Sequence, residues 1–143
     1  RIREEILEAR ERGVIFDIGH GVGSFGFETA ETMLNAGFLP DAISSDVHSL
    51  SIKGPAYDQL VTLSKFLHLG MSITDIIGAS TTGPARAIRR PDLGTLSPGS
   101  IGDATILSIE KGDFIFTDSL GHTRSGEKKF TLKGIVLDGE MWG

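Results

Sequence analysis

The stretch from Val14 to His48 constrains the fold more than any other part of the sequence. It reads as an apolar strand (Val14 to Ile18), a glycine-rich loop, a helical run and a second apolar strand (Ala42 to Ser45). The helical run, over about residues 24–36, carries Phe27, Ala30, Met33 and Leu34 at helical spacing, with Gly37 placed to end it. Strand, helix and strand in that order predict an α/β architecture with the two strands parallel and neighbouring.

The flanking segments fit one such layer followed by something different. Residues 2–12 read as the last turns of an amphipathic helix, with Ile2, Ile6, Leu7 and Ala9 near one face. The chain opens inside that helix with neither Met nor cap, and is expected to be a piece of something longer. Beyond Gly54-Pro55 a helix is expected over about 57–69, with Leu60, Val61, Leu63, Ser64 and Leu67 on its buried side; Lys65 and Tyr57 give no signal beyond a helix surface or core edge. "SITD" (72–75) resembles a capping box, with Asp75 in place of Glu or Gln, opening a short helix to about Ala79. Pro84 fits the first position of another. From Pro91 onward the texture changes to short β-rich runs, "DATILSIE", "DFIFTD" and "KFTLKGIVLDG", separated by Gly, Asp and Ser. The expected division is therefore βα units over 1–90 and an antiparallel appendage over 91–143.

Composition removes several classes of function. A net charge of −5 gives no electrostatic footprint for nucleic acid. No apolar run approaches the roughly 20 residues of a membrane helix. With no cysteine, disulfides and thiolate metal sites are excluded, which fits a reducing, cytoplasmic setting. The small cluster Arg86, Arg89 and Arg90 reads as a solvated helix face.

Two features carry the chemistry. Gly21, Gly23 and Gly26 form a GxGxxG after a strand and before a helix, and Asp46 follows twenty residues later, the spacing of a dinucleotide fingerprint. Against that reading, Asp17 and His20 place ionisable groups in the approach to the loop, and no further βαβ units follow. The ionisable residues point elsewhere. The strands end in "DIGH" and "SSDVH", so His20 and Asp46 stand at neighbouring C-terminal strand edges, where βα loops converge on one mouth. A carboxylate and one or two imidazoles there suit metal ligation or proton transfer. His48 shares the side of Asp46 if the strand continues, and belongs to the following loop if it does not. His68 reads as a packing or surface residue, and His122 as solvated in a hairpin-like loop.

Three segments resemble the metal-dependent amidohydrolase superfamily, and within it the bacterial amidohydrolase/deacetylase group often described as dihydroorotase-like. "VIFDIGHGVGSFGFETAETMLNAGFLPDAISSDVH" resembles the last two barrel strands and the helix between them. "KFLHLGMSITDIIGASTTGPARAI" resembles its "SK-x-L-x-L-G … T-x-x-PA" helical segment. "LGTLSPGSIGDATIL" resembles the "G-x-L-x-P-G-x-x-A-D" return into a small β-sandwich, with Gly102 in place of the usual Ala; Gly83 likewise replaces a common Asn.

The resemblance implies the C-terminal part of a (β/α)8 barrel, its last two strands and helices followed by sandwich strands. It implies a hydrolase of an amide, cyclic amide or ester bond using one or two divalent ions, Zn²⁺ above all. Asp46 matches the family's last-strand aspartate, which is a metal ligand and the proton shuttle between attacking water and leaving group. The glycine loop becomes a roof over the pocket, where Gly21, Gly23 and Ser24 would receive a small-molecule substrate through backbone N–H groups at a helix start. His20 and His48 join that substrate-binding group. His20 is not assigned as a ligand, because the family's ligand histidines belong to earlier strands. The family's H-x-H, its bridging carboxylated lysine and its two later histidines have no counterpart here and would lie before Arg1. The intact protein is thus expected to act as a homo-oligomer, or this chain to pair with an N-terminal part. The alternative is a non-catalytic fragment or accessory module that needs such a partner, and a dinucleotide-binding domain stands behind both.

Overall fold

The expected parallel pairing forms, but over fewer residues than the apolar runs offer. The computed structural model describes residues 1–142. After helix α1 (Glu4–Glu11) come strand β1 (Asp17–Gly19), helix α2 (Phe27–Asn35) and strand β2 (Ala42–Ser44). The strands pair in parallel with Asp17 opposite Ala42 and Gly19 opposite Ser44. Val14 and Ile15 lie outside β1 and are exposed; Val14 N–H instead donates to the Ala9 carbonyl at 3.0 Å. β2 ends where Asp46 turns to a φ of 47°.

The helix ends follow their local chemistry. α2 stops at Asn35, and Gly37 takes a φ of 73° while its N–H bonds the Leu34 carbonyl and that of Phe38 bonds Met33. This is a Schellman closure, and glycine bears the left-handed conformation without a Cβ penalty. Helix α3 (Gln59–His68) begins at Asp58, whose carboxylate accepts from Val61 N–H at 2.7 Å. Helix α4 (Ile73–Ser80) is capped by Ser72, which accepts from Asp75 N–H at 3.1 Å as the capping-box reading requires. Helix α5 (Thr82–Ala87) starts two residues before Pro84, so the proline is third in the helix and not first; its missing N–H has no intrahelical partner to lose in the first turn.

Beyond Pro91 the chain is antiparallel. "DATILSIE" and "DFIFTD", expected as separate strands, form one long strand β3 (Ala104–Thr117), with an irregularity between Lys111 and Phe114 where Gly112-Asp113 interrupts the ladder. Strand β4 (Thr123–Leu137) pairs along it, and β5 (Glu140–Trp142) adds to the other edge of β4. The protein is thus α/β, with one parallel pair and one three-stranded antiparallel sheet among the described residues.

A single apolar cluster joins these parts. Phe25, Phe27, Leu63, Phe66, Met71 and Ile76 from the βα side pack with Phe116 and Phe130 of the sheet. α3 lies between the two and is covered on more than one side. Thr62, Leu63, Ser64, Lys65 and Phe66 are all buried, which the single apolar stripe expected from its sequence does not describe. Ser64 Oγ accepts from Phe130 N–H at 2.9 Å and locks α3 to β4. Among the described residues no helix is long and apolar enough to cross a membrane.

Candidate functional site

The C-terminal ends of β1 and β2 hold the residues singled out above, in three different environments. His20 N–H donates to the Ser44 carbonyl at 3.2 Å and Gly21 N–H to Ser45 at 3.0 Å, so the glycine loop leaves alongside the end of β2. Gly21 has a φ of 49° and is packed so closely against the Asp46 carboxylate that no Cβ fits between them. Asp46 itself is exposed at the mouth, while its backbone carbonyl accepts from Ser51 Oγ at 3.2 Å. The strand ends before His48, which resolves the two placements left open by the sequence. His48 begins a turn in which it accepts from Ser51 N–H and Ile52 N–H, and its exposed ring accepts from Leu50 N–H through Nδ1 at 3.3 Å.

His20, expected among the substrate-contacting residues, lies inside the protein with no exposed surface. Its ring stacks on Phe25 with centroids 4.8 Å apart. Nδ1 is 2.9 Å from the Gly21 carbonyl, which can only accept, so the proton is on Nδ1. Nε2 then accepts from Lys65 Nζ at 2.7 Å. Burial, and the adjacent Lys65 cation, hold the imidazole pKa below the ordinary histidine value, with the Gly21 bond opposing them. The ring is therefore neutral near pH 7, and a direct substrate contact is replaced by two protein partners.

Lys65 lies directly beneath this candidate site, and its sequence pattern points only to a helix surface or core edge. It is fully buried and its ammonium donates to three acceptors, each at 2.7 Å: Pro55 O, Thr117 O and His20 Nε2. Burial lowers its pKa to about 8, against the pull of Asp118. One signal for it was available: Val61 and Leu69, one turn away on either side, offer it no carboxylate, so a surface ion pair on its own helix is absent.

The loop's amides are less free than its sequence implies. Gly21 N–H is bonded to Ser45, and Ser24 N–H donates to the His20 carbonyl at 3.2 Å. Gly23 and the Ser24 side chain lie on the exposed tip. The start of α2 is occupied as well: Asp118 Oδ2 accepts from Phe27 N–H at 3.0 Å. Burial alone would raise the Asp118 pKa, but amide bonds from Phe27, His122 and Leu120 outweigh it and hold the carboxylate ionised below the usual range. A pyrophosphate brought to this helix start would meet a fixed negative charge, which argues against the dinucleotide reading.

Among the described residues no group of three or more His, Cys, Asp or Glu side chains could hold a metal ion. Asp46 offers one hard oxygen ligand, so the residues present suit part of a divalent-metal site and not the whole of one. An apolar cleft of about 490 Å³ between α3, α4 and the antiparallel sheet, lined by Leu60, Leu63, Ile77, Leu107 and Val136, contains none of these residues.

Comparison with known proteins gives this geometry its family context. The profile of the Amidohydrolase family matches residues 10–142. A deacetylase from Enterococcus faecalis is 34% identical over 143 residues, which is 99% of this chain and 39% of that protein. The crystal structure of an adenine deaminase superposes with a TM-score of 0.94 at 34% identity, covering 99% of this chain and 39% of that one. A dihydroorotase structure gives a TM-score of 0.83 at 32% identity, covering 97% and 37%. The chain thus spans well under half the length of the relatives it matches. On the profile match and these superpositions together, the chain belongs to the amidohydrolase family.

Proposed function

We propose that the chain is the C-terminal part of a (β/α)8 metal-dependent hydrolase that cleaves an amide, cyclic amide or ester bond. The observation that carries this reading is the exposed Asp46 at the C-terminal end of β2, held against the Gly21 turn. In βα barrels that edge is where chemistry is done. The relatives' names, deacetylase, adenine deaminase and dihydroorotase, differ in substrate. They therefore support a shared class of reaction and not one compound.

In this reading Asp46 takes a proton from the attacking water and returns it to the leaving nitrogen or oxygen. Its carboxylate is also the ligand that this chain contributes to a divalent ion, Zn²⁺ by preference. When bound, such an ion supplies Lewis acidity toward the scissile carbonyl and a more acidic water. The exposed tip at Gly23 and Ser24 meets the small-molecule substrate, with His48 at the opposite rim. His20 acts from beneath, by fixing the Gly21 peptide.

The test is Asp46→Asn in the complete protein, assayed on N-acetylglycine, dihydroorotate and p-nitrophenyl acetate. A loss of roughly 10²- to 10⁴-fold in kcat with an unchanged fold is expected for removal of a general base. A variant that keeps near-normal kcat on the substrate turned over by the parent overturns the assignment.

A further inference from the structure

Lys65 is a fully buried cation, 45 residues in sequence from the imidazole it bonds. An ammonium has three N–H bonds, and all three find acceptors at 2.7 Å. Two of them, Pro55 O and Thr117 O, would satisfy a simple clamp between α3 and its neighbours. The third dictates the protonation of His20. With Nε2 accepting from Lys65, the ring proton is placed on Nδ1 and aimed at the Gly21 carbonyl at 2.9 Å. That bond fixes the peptide leaving Gly21, whose own N–H is tied to Ser45 and whose Cα forms the wall against the Asp46 carboxylate.

The same ammonium also holds the other flank of Asp46. Pro55 closes the turn that starts just after Asp46, in which Ser51 Oγ bonds the Asp46 carbonyl and Ser51 O accepts from Tyr57 N–H at 3.1 Å. We infer that Lys65 is a positioning residue for Asp46, acting through His20 and the Gly21 turn on one side and through Pro55 on the other. The inference rests on the reading of Asp46 as the catalytic carboxylate. It differs from a packing role because it predicts a loss confined to turnover.

The experiment uses the complete protein with ¹⁵N-labelled histidine and the substrate found in the Asp46→Asn assay. In the parent, the His20 ring is expected to carry its proton on Nδ1 with Nε2 unprotonated. In Lys65→Met, kcat per folded, metal-loaded site should fall on the order of 10²-fold, the scale set by misplacing a reacting group by about 1 Å. KM and metal content should change little, and the His20 signals should no longer report a single tautomer. His20→Asn retains a donor toward Gly21 but loses the Lys65 bond, and should show the same kcat loss; the double variant should lose no more than either single one. If Lys65→Met does not fold, His20→Asn and the parent tautomer decide.

Wild-type kcat in folded Lys65→Met, wild-type kcat in His20→Asn, or a parent ring protonated on Nε2 would each overturn the inference. Failure of the underlying reading is separable. Asp46→Asn with normal kcat removes both, whereas an inactive Asp46→Asn beside an active Lys65→Met removes only the role of Lys65.

Discussion

At the scale of single residues, the candidate site contrasts an exposed carboxylate with a buried cation, and only the first has a sequence pattern pointing to it. Asp46 stands out because a strand pattern ends on it and the glycine loop's strand ends in parallel at His20. Lys65 gives no sequence signal beyond a surface or core edge; lysine stems ordinarily snorkel and leave the charge in water, and this one does not. Nothing local announces that Thr117, 52 residues later, and Pro55 will supply its acceptors. Its burial leaves a thermodynamic trace. In the unfolded chain the lysine keeps its proton to its ordinary pKa of 10.5, but in the folded chain only to about 8. Between these values the unfolded state binds more protons, so this group's contribution to stability rises with pH across that window. Denaturant titrations from below pH 8 to above pH 10 should show the parent gaining stability relative to Lys65→Met as pH rises. A difference that stays flat or falls would contradict the burial of the cation.

At the scale of elements, the ends set by local chemistry were the readable ones. Gly37 closes α2 and Ser72 opens α4 as their residue types require. The sequence puts the start of α2 several residues early, whereas its first amide is held by the β3–β4 turn, 91 residues away. Phe27 N–H, Leu120 N–H and His122 N–H all converge on the Asp118 carboxylate. Asp118→Asn replaces one acceptor oxygen by a donor and should cost about 1–3 kcal/mol through unsatisfied buried donors, measured by denaturant unfolding at pH 7. The acid limb should change in a defined sense. The folded pKa of Asp118 lies below its ordinary value, so its stabilisation is complete above that value and is lost as pH falls through the folded one. Asp118→Asn should therefore lose less stability than the parent on acidification in that range. The merging of two short β runs into β3 is a failure of the same kind. Gly112-Asp113 reads as a break in sequence, yet β4 supplies partners on both sides of it and the strand runs through.

At the scale of the molecule, the helical and antiparallel parts share one aromatic core. Phe25 packs against Phe66 with centroids 5.5 Å apart, and Phe116 and Phe130 close the cluster from the sheet. The proposed metal site is not shared in this way. Asp46 is the one ligand proposed for it, and no complete group exists among the described residues. Dialysed against Zn²⁺ and then against buffer, the 143-residue chain should retain no stoichiometric ion by elemental analysis. One tightly held ion per chain would contradict the placement of the other ligands outside it. The cap supplied by Asp118 also sets an order of events during synthesis. α2 leaves the ribosome long before its acceptor does, so its first turn stays frayed until the β3–β4 turn emerges and docks. The stretch that carries Gly23 and Ser24 is thus made before the turn that holds it, and settles only after that turn has docked.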